Sequence, residues 1–123
     1  MVKYQWNIFW VSLDPIKGSE QSGTRPVLVV SNEDINATLP TIAILPITSL
    51  KPGRKIYSIE TFISKEESGL PKDSIVMAHQ IRCISKERLK EKCGSITSLE
   101  MRQRIKQALE IYLDLGSNLV GTN

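Results

Sequence analysis

The segment that most limits the folds open to this chain is residues 26–31, which read PVLVVS. The run is continuously apolar and rich in β-branched side chains, a pattern that predicts a strand buried on both faces. Such a strand needs a neighbouring strand on each side. Apolar runs at residues 8–13 and 41–47 are the first candidates, so the chain is expected to build a sheet around this segment.

Two further strands are predicted later in the chain. Residues 55–63 form an amphipathic run, and residues 74–85, SIVMAHQIRCIS, form a longer one. Read as one continuous strand, the second places Ile75, His79 and Cys83 on one face and Gln80 and Arg82 on the other. The loop between the first two strands, residues 14–24, reads DPIKGSEQSGT and is rich in turn-forming residues.

One long helix closes the pattern. Thr97 and Glu100 fit a capping box, and Gly116 suits the end of the helix. Ser85 is expected to cap a short helical turn over residues 86–90, and residues 115–123 are expected to be a frayed tail. Apolar residues recur at helical spacing, namely Met101, Ile105, Ala108, Leu109 and Tyr112. The strands and this helix predict a small, strongly curved sheet or partly open barrel covered by the helix on one face.

Length and composition narrow the function classes. The 123 residues suit a single domain (residues 1–123), and a net charge of +3 leans mildly towards an anionic partner. No segment is apolar enough to span a membrane and no signal peptide is recognisable, so a cytoplasmic location is expected. Cys83, Cys93 and one histidine make no metal-binding pattern, so we expect neither a metal nor a cofactor. Two buried thiols are favoured over a disulfide, which stays open.

Three motifs carry a family resemblance. Residues 12–26, SLDPIKGSEQSGTRP, run directly into the buried strand; residues 45–49 read LPITS; and residues 73–89 read DSIVMAHQIRCISKERL. In this order and spacing they resemble the MazF/PemK (Kid) family of toxin endoribonucleases, over residues 8–115. The resemblance implies an SH3-like, partly open barrel of curved antiparallel sheet with a C-terminal helix, assembled as a homodimer.

The resemblance also implies an activity and a partner. It implies the toxin of a type II toxin–antitoxin system, a sequence-selective, metal-independent endoribonuclease (an mRNA interferase) acting on single-stranded RNA. The 2′-hydroxyl attacks the neighbouring phosphorus, which leaves 2′,3′-cyclic phosphate and 5′-hydroxyl ends and requires a base, an acid and a group that stabilises the added negative charge. The implied partner is an acidic, partly disordered antitoxin that covers the RNA path.

Three residues are predicted to be catalytic. Arg25 and Thr48 match catalytic residues of the family; the alternatives are an arginine that binds its own loop and a hydroxyl that caps a turn. His79 stands where Kid-type members have an acidic residue, and its imidazole suits proton transfer near neutral pH. The alternative for His79 is a hydrogen-bonded histidine of the core.

Substrate contacts are predicted around these three. The residues concerned are Ser19, Glu20, Gln21, Ser49 and Gln80. Kid-type members place a histidine where this chain has Ser19, so the proton-transfer pair differs here. Glu20 either orients Arg25, acts as the base or is a solvated charge.

Other side chains are open to more than one interpretation. Gln80 and Arg82 suit the dimer interface, base recognition or a simple pair on the sheet surface. Lys51, Arg54 and Lys55 suit either an RNA backbone or a solvated hairpin.

Three rival functions stay open. The first is a non-ribonuclease toxin of the same fold that binds gyrase, as in the CcdB type. The second is a nucleic-acid-binding barrel without enzymatic activity, a class that usually carries aromatic stacking surfaces. The third is a degenerate family member that has lost activity through the changes at Ser19, Met77 and His79.

Overall fold

A computed structural model of the chain describes residues 2–13, 17–20 and 23–116. The strands in these ranges are β1 (Asn7–Ser12), β2 (Thr24–Val29), β3 (Thr41–Ser49), β4 (Glu60–Ile63), β5 (Ser74–Met77), β6 (Arg82–Ser85) and β7 (Leu89–Ser95). The α-helices are α1 (Glu33–Thr38), α2 (Lys65–Ser68) and α3 (Leu99–Leu113), with 3-10 turns at Ala78–Gln80 and Lys86–Arg88. None of the described helices is long and apolar enough to cross a membrane.

The strands form one antiparallel sheet with β2 at its centre. The order is β4-β5-β3-β2-β1-β7, and β6 also pairs with β3. Val27, Leu28 and Val29 are fully buried, with Leu28 in one apolar cluster and its two neighbours in another. The prediction of a strand buried on both faces is therefore confirmed, as is a mainly β fold with a C-terminal helix.

The two apolar clusters lie on opposite faces of β1, β2 and β3. Helix α3 covers one of them, inserting Met101, Ile105 and Ala108 against residues that include Ile8 and Leu28. Burial of a side chain such as Ile105 stabilises the fold by about 1.5–3 kcal/mol. The second cluster contains the residues that alternate with these along each strand, namely Phe9, Val11, Leu13, Val27, Val29, Ile42, Ile44 and Ile84. Strand alternation thus produces both clusters.

The continuous strand predicted over residues 74–85 is wrong. The Ala78–Gln80 turn divides it into β5 and β6. Both strands pair with β3, but between them this segment contains three more residues than the facing part of β3. An odd insertion reverses the side-chain faces. Cys83 therefore shares a face with Val76, since these two pair with Ala43 and Ile47, and not with Ile75 as alternation had predicted.

Several predicted boundaries also need correction. Of the strand predicted over residues 55–63, only β4, from Glu60 onwards, is formed. The N-cap of α3 is Ser98 and not Thr97, because the Ser98 hydroxyl accepts a hydrogen bond from the Met101 N–H at 3.2 Å. The helix ends at Asp114, whose φ of 57° is left-handed, and not at Gly116. The cap at Ser85 is confirmed, although the turn it begins is the shorter Lys86–Arg88.

Three elements escaped prediction, namely β7 and the short helices α1 and α2. Strand β7 lies at an edge of the sheet and carries three exposed charges, Lys90, Glu91 and Lys92. Charges on edge strands discourage pairing with other chains, but they also conceal the strand pattern.

Both thiols are free, and Cys83 is exposed, so the prediction of its burial is wrong. Of the tail expected to fray, residues 117–123 lie outside the described ranges.

Candidate active site

The loop after β1 begins at a point held by two arginines. Arg88 donates from Nη2 to the Ser12 carbonyl oxygen at 2.7 Å, and Arg82 donates from Nη1 to the Leu13 carbonyl oxygen at 3.4 Å. The Leu13 N–H donates to the Gly23 carbonyl oxygen at 3.0 Å and closes the base of the loop. Arg82 therefore has a contact that supports the loop, beyond the roles considered for it from sequence.

The described part of the loop, residues 17–20, is organised by Glu20. Its Oε1 accepts a hydrogen bond from the Lys17 N–H at 2.7 Å, and its own N–H donates to the Lys17 carbonyl oxygen at 3.2 Å. The turn between them uses Gly18 at a φ of 54°. Ser19 is exposed at its tip, and Gln21 lies outside the described residues.

A first hollow, of about 380 Å³, opens beside this turn. Its lining consists of Leu13, Glu20, Pro46, His79, Gln80, Ile81 and Arg82. Three of the predicted site residues, Glu20, His79 and Gln80, are thus brought together. The Ala78–Gln80 turn is responsible, because it lifts His79 and Gln80 out of the strand ladder opposite Pro46.

His79 combines features of both interpretations offered for it. Its ring is half-buried and lies edge-on to Tyr112 of α3, with centroids 6.4 Å apart and planes at 68°. Its Nδ1 is buried and has no hydrogen-bond partner among the described residues. An orphaned ring nitrogen is costly in a purely structural histidine, and Nδ1 does not make the hydrogen bond that the core interpretation calls for.

Arg54, one of the basic residues considered for RNA binding, forms an ion pair with Glu60. Arg54 donates to both carboxylate oxygens of Glu60, at 3.0 and 2.8 Å, and the Tyr57 N–H donates to Glu60 Oε1 at 3.1 Å. The Arg54 hydrogen bonds hold the pKa of Glu60 below its ordinary value; burial opposes this, and the charge of His79 adds a smaller lowering. Arg54 is thus engaged in the structure, whereas its neighbours Lys51 and Lys55 are exposed.

A second hollow, of about 260 Å³, contains Arg25. Its lining consists of Trp10, Thr24, Arg25, Pro26, Ile47, Ser49, Leu70, Pro71, Lys72 and Ser74. Two predicted site residues, Arg25 and Ser49, are therefore brought together here. Among the described residues, the lining has two cations and no carboxylate, an arrangement that suits an anionic ligand.

Arg25 and Thr48 stand at corresponding places on adjacent strands. Val27 of β2 pairs with Pro46 of β3, and Arg25 and Thr48 each lie two residues further towards the same end of the pair. Strand alternation assigns both to the face of Val27 and Pro46. Pro46 lines the first hollow, and Arg25 lines the second. Neither of these two hollows is lined by both His79 and Arg25.

Sequence reasoning missed Trp10 and Lys72 in the lining of the second hollow. Trp10 is half-buried and alternates with the buried Phe9 and Val11, a signal that could have marked it as facing the other side of the sheet. Lys72 lies in the segment between α2 and β5, which approaches Arg25 only through the pairing of β5 with β3. No local pattern could have found it.

Comparison with known proteins gives a family and several relatives. A model of the PemK-like, MazF-like toxins of type II toxin–antitoxin systems matches residues 4–113. Endoribonuclease MazF9 of Mycobacterium tuberculosis is 38% identical over 89% of this chain and 95% of its own length. Endoribonuclease MazF of Staphylococcus saprophyticus is 35% identical over 89% of each chain.

Solved structures resemble the chain in fold. An endoribonuclease in complex with its cognate antitoxin from a mycobacterial species superposes with a TM-score of 0.76 and 19% identity, covering 94% of this chain and 98% of that one. MazF from Deinococcus radiodurans gives a TM-score of 0.75 and 23% identity, covering 93% and 98%. Both superpositions place the sheet and the C-terminal helix in a known architecture.

Proposed function

The chain belongs to the PemK-like, MazF-like family of toxins of type II toxin–antitoxin systems, and from this premise we propose that it is a sequence-selective endoribonuclease acting on single-stranded RNA. Two relatives that are more than a third identical over most of their length carry the name endoribonuclease. The single observation that carries the proposal is the placement of Arg25 and Thr48 on one face of adjacent strands, with Arg25 in the lining of an open hollow.

The reaction needs no metal in this proposal. A base removes the proton of the 2′-hydroxyl, the oxygen attacks the adjacent phosphorus, and an acid protonates the departing 5′-oxygen. The Arg25 guanidinium is suited to hold two phosphate oxygens as negative charge accumulates, and the Thr48 hydroxyl to donate to one of them. The products are a 2′,3′-cyclic phosphate and a 5′-hydroxyl, so the mechanism cannot operate on DNA.

Proton transfer is assigned to the first hollow. His79 is the candidate, because its half-buried imidazole lines this hollow and its Nδ1 has no hydrogen-bond partner among the described residues. Glu20 lines the same hollow, but its carboxylate already accepts the Lys17 N–H at 2.7 Å. This contact favours a role for Glu20 in shaping the loop, and His79 as the proton-transfer group.

The RNA path follows from the two hollows. A strand whose scissile phosphate lies at Arg25 passes Ser49 on one side and Glu20 and Gln80 on the other. Ser19, exposed at the tip of the loop, and Gln21 belong to the same loop and complete the proposed contacts. The chain is further proposed to act as a cytoplasmic homodimer that an acidic antitoxin neutralises by covering this path, a partner class represented among its structural neighbours.

The first experiment is cleavage of a long single-stranded RNA in EDTA, followed by mapping of the fragment ends. The wild type is expected to give defined fragments with 2′,3′-cyclic phosphate ends, and Arg25→Ala to lose about 100-fold or more of the rate. Arg25→Lys keeps the charge but loses the planar fork, so we expect it to recover only part of the activity.

Arg104→Ala is the matched control, because Arg104 lies on α3 and its one polar contact among the described residues is an exposed ion pair with Glu100 at 3.1 Å. Its rate is expected to equal that of the wild type. Absence of cleavage by the folded, antitoxin-free wild type across varied RNAs would refute the enzymatic proposal and leave the gyrase-binding or inactive alternatives.

A further inference from the structure

The second hollow has apolar walls that phosphate chemistry alone does not require. Besides Arg25 and its polar neighbours, the lining includes five apolar side chains, Trp10, Pro26, Ile47, Leu70 and Pro71. Its volume of about 260 Å³ falls below the roughly 300–1,000 Å³ of sites for larger ligands. A space of this size suits one flat ring system with a charged group at its edge.

Trp10 provides the aromatic surface. It follows Ile8 by two residues on the same face of β1, but Ile8 is fully buried in the cluster under α3 whereas Trp10 stays partly exposed. Trp10 pairs with Pro26 on β2, which lines the same hollow. Two neighbouring strands thus hold the backbone of Trp10, and a partly exposed aromatic ring that lines a hollow is suited to stack on a nucleobase.

Lys72 provides the second cation, on a segment that is held in place. The Lys72 carbonyl oxygen accepts from the Ser74 hydroxyl at 2.9 Å. The Asp73 carboxylate accepts from the Lys65 N–H at 2.9 Å, and the Asp73 carbonyl oxygen accepts from the Leu50 N–H at the same distance. The carboxylate nearest to Lys72 in sequence is therefore engaged with α2. Lys72 lines the hollow together with Arg25, and none of the described lining residues is acidic.

We propose that the second hollow is a subsite for the nucleotide next to the scissile phosphate, with its base stacked on Trp10 and its own phosphate bound by Lys72. The inference rests on the proposed ribonuclease function, which places the reacting phosphate at Arg25. Lys72 and Trp10 then act in binding and in the choice of cleavage sequence, not in the chemical step. An acidic peptide would also be attracted to the two cations, but it has less need of a hollow with an aromatic wall.

The test measures binding to a short RNA that spans the mapped cleavage site and carries 2′-deoxyribose there, so that it is not cut. We expect Trp10→Leu and Lys72→Ala each to weaken binding by about tenfold, and Trp10→Phe to retain most of it. Lys72→Ala should also lower the slope of log affinity against log salt by about 0.7, as the loss of one phosphate contact predicts. Lys90→Ala, an exposed change on β7, is the control and should alter neither value.

A second RNA without the base at the flanking position tests the stacking directly. Wild type should bind this abasic RNA about tenfold more weakly than the intact RNA, and Trp10→Leu should bind both equally. The abasic comparison on the wild type alone decides the matter even if Trp10→Leu folds poorly. Equal wild-type affinity for the two RNAs at both flanking positions overturns the subsite.

The outcomes separate the two proposals. If RNA is cleaved but neither Trp10→Leu nor Lys72→Ala changes its binding, the subsite is wrong and the ribonuclease function stands. If those variants lose affinity only for the acidic antitoxin, the hollow is a peptide site and the inference is overturned. If no RNA is cleaved and none is bound, the proposed function itself fails.

Discussion

The ion pair between Arg54 and Glu60 should account for a measurable part of the stability of the fold. The Glu60 side chain is only 3% exposed, whereas that of Arg54 is 31% exposed. Arg54→Ala would leave a buried carboxylate with the Tyr57 N–H as its remaining donor. This substitution is informative because it removes two charge-assisted hydrogen bonds without creating a cavity in either apolar cluster.

The magnitude follows from the geometry. Breaking a buried ion pair from one side costs about 3–5 kcal/mol, but solvent reaches Arg54, so we expect about 2–3 kcal/mol. For a domain of this size that corresponds to a melting temperature lowered by about 10 °C. Arg104→Ala, which removes an exposed pair on α3, should cost no more than about 0.5 kcal/mol.

The pH dependence gives the sharper test. The pKa of Glu60 is held below its ordinary value in the folded state, so its charge contributes stability above the unfolded pKa of about 4.3. That contribution is lost as the pH falls through the folded pKa. The difference in unfolding free energy between wild type and Arg54→Ala should therefore be complete at pH 7 and shrink as the pH falls towards the folded pKa of Glu60.

Urea unfolding followed by circular dichroism at a series of pH values measures this difference. A loss of less than about 0.5 kcal/mol at pH 7 would show that the pair behaves like a solvated surface pair. A difference that stays constant between pH 7 and pH 3 would show that the carboxylate of Glu60 is not the group responsible. Either result would refute the reasoning.

Three further predictions concern the fold and the site. Gly94→Ala should cost about 3 kcal/mol or more of unfolding free energy in urea, because a Cβ there would collide with the Ser68 carbonyl oxygen. Gly53→Ala is the control: its φ is 77° but the space around it is open, so it should cost only about 1 kcal/mol. Equal losses in the two variants would contradict the predicted collision. Ser98→Ala should destabilise α3 by about 1 kcal/mol through loss of its N-cap, and an unchanged midpoint would place the cap elsewhere. His79→Gln should slow RNA cleavage by about 100-fold without lowering the melting temperature, since Nδ1 has no partner to lose; a stability loss with unchanged activity would indicate a packing role.

The sequence was sufficient for the elements whose pattern is local. The run at residues 26–31 identified the central strand, and the spacing of Met101, Ile105 and Ala108 identified α3 because both patterns match the period of the element. Strand β7 was missed because an edge strand needs no continuous apolar face and its charges obscure the alternation. An element that buries its own side chains shows this in its sequence, whereas an edge strand that is held by hydrogen bonds to its neighbour does not.

The site was less predictable, because its geometry arises from pairing. Residues 74–85 form one strand-like run without a glycine or proline, so no local signal shows the three-residue shift that separates β5 from β6. Arg25 and Thr48 come from the resemblance, and their common face follows only from the register of β2 on β3. The bond between Arg54 and Glu60 depends on a turn that brings the two side chains together, so the sequence showed only a basic cluster near a strand.

The Ala78–Gln80 turn has a consequence for how this molecule can change. Its three residues lie outside the ladders that β5 and β6 form with β3, while His79 and Gln80 face an open hollow. A substitution at either position exchanges one functional group for another and leaves the hydrogen-bonded sheet as it was. The length of the turn is constrained, since losing one residue would reverse every side chain of β6, but its chemistry is not. Substitutions at His79 and Gln80 can therefore change the chemistry of this site with little loss of folding stability.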